Sequence, residues 1–104
     1  MELLRPAGVP GGPGYAEHLR TADLSVGTYS LPAGAVDPQT PHAEDEIYVV
    51  TAGRARLSTP SGAVAVEPGS VVFVPAGEQH AFTDIAEDLT VLVVYGPAEY
   101  SRGG

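Results

Sequence analysis

Apolar and polar residues along this chain fall into short bursts rather than long periodic stretches. From Tyr15 onward, segments rich in Val, Leu, Tyr and Thr are broken every eight to twelve residues by Gly, Pro or Asp clusters. That spacing is the mark of an all-β sandwich or barrel. Strands are expected near Ala16–Thr21, Leu24–Leu31, Glu46–Ala52, Arg54–Thr59, Ala63–Glu67, Val71–Val74, His80–Asp84 and Leu89–Tyr95. No segment sustains a helical period. Turns are expected at Pro32-Ala33-Gly34, Ala52-Gly53, Pro60-Ser61-Gly62, Pro68-Gly69 and Pro75-Ala76-Gly77, where a fixed φ or a permissive glycine lets the chain reverse. Residues 1–14 carry three prolines and four glycines, which reads as a flexible arm ahead of one domain spanning residues 15–104.

Composition narrows the chemistry. At 104 residues the chain has the length of a single domain able to close one hydrophobic core. It has no cysteine, so any metal must be held by nitrogen and oxygen. Thirteen acidic residues against five basic ones, all Arg, give a net charge of −8, which repels a phosphate backbone and argues against nucleic-acid binding. The first residues lack the basic and apolar runs of a secretory signal, and no stretch is long enough to span a membrane, so a cytoplasmic location without membrane attachment is expected.

Two histidines stand beside turns. In Thr40-Pro41-His42-Ala43-Glu44-Asp45-Glu46-Ile47-Tyr48, residues 40, 42, 46 and 48 share parity and on one extended strand would face the same way. His42 and Glu46 would then converge. Pro38 and Pro41 stand in the same stretch and can kink it. His80 follows the Pro75-Ala76-Gly77 turn, with Phe82 and Asp84 on its parity, and a closed barrel brings the mouths of two such strands together. His18, on the first expected strand, has no partner motif and reads as a surface residue.

With these residues in place the chain resembles the cupins, a family defined by two spaced motifs. The first runs Gly, five residues, His, any, His, three or four residues, Glu, six residues, Gly; here it reads Gly34, Thr40, His42, Glu46 and Gly53. The second runs Gly, five residues, Pro, any, Gly, two residues, His, three residues, Asn; here it reads Gly69, Pro75, Gly77, His80 and Asp84. Thr40 and Asp84 depart from the pattern. The resemblance implies a small antiparallel β-barrel, or jelly roll, with a metal at its mouth. Carried over position by position, it gives His42, Glu46 and His80 as ligands of one divalent ion. Water, substrate or the amide oxygen of Gln39 is left to fill the place that Thr40 vacates. Such a donor set suits Fe, Zn, Mn or Ni. Asp84 either orients a ligand or caps a turn, and Thr40, Tyr48 and Phe82 are candidates for lining the pocket, although aromatics in small barrels are more often core.

The functional expectation is a metal-dependent enzyme acting on a small metabolite, of dioxygenase or isomerase/cyclase type. The competing expectation is a non-catalytic module that binds or senses a small molecule. An open sheet edge needs cover, and the cupins that the chain resembles commonly dimerise, so a homodimer using its Pro/Gly-rich arm or first strand, Ala16–Thr21, is expected.

Overall fold

The structure is a computed structural model and describes residues 1–4 and 14–101. Most of the expected arm therefore lies outside the described residues, and Gly14 already belongs to the first strand. The chain forms eight strands and, among the described residues, no helix. They are β1 (Gly14–Arg20), β2 (Ser25–Leu31), β3 (Asp45–Ala52), β4 (Ala55–Thr59), β5 (Gly62–Val66), β6 (Val71–Val74), β7 (Ala81–Thr83) and β8 (Leu89–Gly96). With no helix among them, none is long and apolar enough to cross a membrane.

All pairings are antiparallel. One sheet has five strands in the order β1-β2-β8-β3-β6, and the other has three in the order β5-β4-β7. Period-two alternation places the core between them. Leu89, Val91, Val93 and Tyr95 of β8 point inward, in register with Tyr48 and Val50 of β3, and meet Leu57 and Phe82 from the smaller sheet. The outward residues of the same strands are partly or fully exposed.

Two backbone positions mark the motif turns. Gly53 has φ +87°, and a side chain there would run into the backbone of Asp88, so the turn from β3 to β4 closes only with glycine. Asp84 adopts φ +48° just after β7. Asn and Asp tolerate that left-handed region better than other residues with a side chain, which accounts for Asp standing where the motif has Asn and supports a turn role.

Candidate functional site

The segment before β3 does not continue the strand. β3 begins at Asp45, so only Glu46 and Tyr48 share its inward face, while Thr40 and His42 lie on irregular chain between Pro38, Pro41 and the strand. The parity expected over residues 40–48 therefore fails at its first half, because the prolines supply no N–H to a ladder and bend the approach. What joins the two motifs is backbone instead. The N–H of Gly77 donates to the carbonyl of His42 at 2.7 Å, and the N–H of Ala76 donates to Asp45 Oδ1 at 2.8 Å. His80, immediately before β7, is thereby brought beside Glu46.

Glu46 and His80 form a buried pair, 2% and 3% exposed. His80 Nε2 lies 2.8 Å from Glu46 Oε1, yet off the hydrogen-bonding direction, so both carboxylate oxygens of Glu46 lack a hydrogen bond. The same Nε2 sits 2.9 Å from the Tyr48 hydroxyl, and His80 Nδ1 donates to the carbonyl of Glu78 at 2.8 Å. Tyr48 in turn donates to Gln39 Oε1 at 2.9 Å. Gln39 is turned by Asp37, whose Oδ2 accepts from Gln39 Nε2 at 2.8 Å. Asp37 also accepts from the Tyr29 hydroxyl at 2.6 Å and from the N–H of Phe82 at 2.8 Å, tying the loop before β3 to β7. Burial works against a charge on His80, but its contact with Glu46, its bond to Glu78 and the charges of Glu46 and Asp37 outweigh that, and its pKa is raised.

His42 belongs to a second pair. Its Nε2 donates to Glu99 Oε2 at 2.8 Å, with the Tyr95 hydroxyl 3.4 Å from the same nitrogen, while Nδ1 is buried without a partner. Rings of Tyr95 and Tyr100 pack on it at centroid distances of 4.7 and 5.6 Å. Glu99 is fixed through its backbone: its N–H donates to Ser25 Oγ at 2.9 Å, and its carbonyl accepts from Arg20 at 2.9 Å. Tyr95 stands directly across from Glu46 in the β3–β8 register, between the two pairs.

A cavity of about 300 Å³ opens beside these groups. Every tyrosine of the chain lines it: Tyr15, Tyr29, Tyr48, Tyr95 and Tyr100. Gln39, Thr40, His42 and Glu99 supply its polar wall. Phe82, 1% exposed, packs on Tyr48 at 4.9 Å and belongs to the core rather than to this wall. His18 is half-buried and bonded to Thr28 Oγ1 at 2.8 Å, not a free surface residue.

Glu46 and His80 are thus together, Gln39 reaches them through Tyr48, and His42 is turned to Glu99. Among the described residues, no three His, Asp or Glu side chains are gathered as a cage for a metal. The Glu46 carboxylate, buried with both oxygens unsatisfied beside an imidazole nitrogen, is nonetheless a donor pair of the chemistry that a divalent ion takes. Sequence reasoning missed Asp37 and Glu99. Neither stands in a motif, and their bonds to Phe82 and His42 span 45 and 57 residues of chain.

Comparison with known proteins agrees with this architecture. An uncharacterized protein of Streptomyces coelicolor is 51% identical over 85 residues, 82% of this chain and 81% of that one. A cupin with a double-stranded β-helix fold from Methanocaldococcus jannaschii superposes with a TM-score of 0.79 at 16% identity, over 93% of this chain and 91% of that one. KdgF from a Halomonas species gives 0.74 at 21% identity, over 92% and 88%. The DMSP lyase DddQ from Ruegeria pomeroyi gives 0.75 at 23% identity, over 90% of this chain but 55% of that enzyme. At these identities the structural likenesses speak for the fold. The cupin-domain family profile matches residues 27–95, and with both motifs and the two-sheet barrel in place, the chain belongs to the cupin family.

Proposed function

We propose that this cupin holds one divalent transition-metal ion through Glu46 and His80, with His42 and Gln39 completing the set, and acts on a small metabolite in the adjoining cavity. The observation that carries the reading is the Glu46 carboxylate, buried beside His80 Nε2 with neither oxygen hydrogen-bonded. A buried carboxylate without hydrogen bonds is costly unless a cation serves it, and a metal ion would take that place from the proton on His80. Bound there, an Fe, Zn, Mn or Ni ion supplies Lewis acidity or an oxygen-activating centre.

The protein's part is positional. The Glu78 carbonyl holds Nδ1–H of His80, which sets Nε2 as the nitrogen facing Glu46. Asp37 fixes the amide of Gln39 so that its oxygen, not its nitrogen, faces Tyr48 and the pair. His42 keeps a buried nitrogen, Nδ1, without a partner. The cavity has the size of a modest ligand site, and much of its wall is aromatic. A reaction of dioxygenase or isomerase/cyclase type fits such a site, and a lyase stands among the structural neighbours. The second reading, a non-catalytic binding or sensing module, draws on the bond between His42 and Glu99 and on Thr40 replacing a ligand.

Elemental analysis of untagged protein tests the metal. About one equivalent is expected in the wild type and in His18→Ala, and none in His80→Ala. Equal metal content in all three rejects the assignment.

A further inference from the structure

The composition of the cavity is not accounted for by the metal reading. Five tyrosines is the chain's whole complement, and all of them line one hollow. A barrel needing only apolar filler has no use for that many hydroxyls, since each buried one requires a partner. Nor is the wall suited to an anion. No Arg among the described residues lines it, and the chain has no Lys. Arg20, the guanidinium that approaches, is occupied by the carboxylate of Glu17 and the backbone carbonyl of Glu99.

Carboxylates predominate around the hollow, with Arg20 and His80 the cationic groups nearest them. Asp37, Glu44, Glu46 and Glu99 are all buried, and Glu44 holds the N–H of Tyr100 at 3.0 Å, at the rim. Burial first, and then the nearby carboxylates, push the phenols of Tyr15 and Tyr95 well above their ordinary range, so both stay neutral rings. Neutral phenol rings carry negative faces, and carboxylates beside them deepen the same potential. A cation that sheds its water easily gains most in such a place. The Tyr15 hydroxyl, buried without a partner, offers a hydrogen bond as well, and Gly27 leaves the space in which that ring lies across β2.

We infer that the tyrosine-lined cavity is a binding site for a small organic cation of the quaternary ammonium class, held by ring faces with Glu99 as counter-charge. The inference rests on the reading of the protein as a small-molecule cupin and names the class of molecule; it does not require the metal.

Choline and its uncharged carbon isostere, 3,3-dimethylbutan-1-ol, separate charge from shape, and acetate reports an anion. Titration of the full-length protein by calorimetry is expected to show choline binding roughly tenfold tighter than the isostere, with acetate weaker than both. Tyr100→Leu, at a ring 61% exposed, and Glu99→Gln are each expected to weaken choline severalfold and to leave the isostere nearly unchanged. Circular dichroism confirms that both variants stay folded. Isostere binding as tight as choline, tighter acetate, choline binding indifferent to both substitutions, or no binding of choline overturns the inference. Metal content measured on the same samples keeps the readings apart. Metal retained with choline refused rejects the cation site alone, and choline bound by a metal-free protein rejects the metal alone.

Discussion

Gln39 has one orientation that works. Its Nε2 must face the Asp37 carboxylate, which only accepts, so its oxygen faces Tyr48 and takes the single phenol proton. Tyr48 can then only accept from His80 Nε2, and Nδ1 of the same ring already donates to Glu78. In the metal-free protein His80 therefore carries both protons and is the counter-ion of Glu46, in line with its raised pKa. Two outcomes follow from the sign of that shift. The stability that His80 gives the metal-free fold is complete below its ordinary value of 6.5 and is lost as pH rises through the higher folded value. Denaturant melts across that window should show the loss, and His80→Gln should remove it; a loss of the same size in His80→Gln would assign it to another group. Metal must displace the Nε2 proton, so affinity should fall roughly tenfold per pH unit on the acid side of the folded value, checked by competition against a chelator.

At the scale of elements, the turns were the most readable part of the sequence. The expected strands match β1 to β8 closely, because alternating Val, Leu and Tyr between Gly and Pro clusters leaves little choice of register. The inward pair Glu46 and Tyr48 was legible for the same reason. The approach through Thr40 and His42 was not, since parity holds only while a ladder holds, and Pro38 and Pro41 end it. Glu99 was invisible because its partner His42 is set by tertiary closure, and Asp37, although two residues from Gln39, stands in no motif and meets Phe82 only when the barrel closes. Gly53 offers a test of the turn between β3 and β4. Gly53→Ala is expected to cost about 1–3 kcal/mol from the left-handed φ alone, before the contact with Asp88 is added. Urea unfolding measures it, and an unchanged midpoint would mean the turn relaxes without strain.

Across the whole molecule, the outer face of the five-stranded sheet is as apolar as the inner one is mixed. Val26, Val94, Ile47 and Phe73 stand side by side over four strands, with Leu92, Val49 and Val71 in the next row. Phe73 and Val71 are 60% and 67% exposed, at the edge strand β6. This surface could support the expected homodimer, and β1, paired with β2 on one side, keeps its other edge at the border of the sheet. Sedimentation should give a dimer that Phe73→Asp shifts toward monomer. A wild-type monomer at high concentration would refute the pairing. The place of β8 carries a different consequence. It is the last strand in sequence yet lies at the middle of its sheet, between β2 and β3. β1–β2 and β3–β6 can pair earlier, but nothing joins these two halves of the larger sheet until residue 96 has been synthesised, so on the ribosome the inner edges of β2 and β3 wait unpaired. The hairpins β1–β2 and β4–β5 are local, whereas β8 closes the larger sheet through long-range contacts, a slow step during which a chaperone has the most to protect.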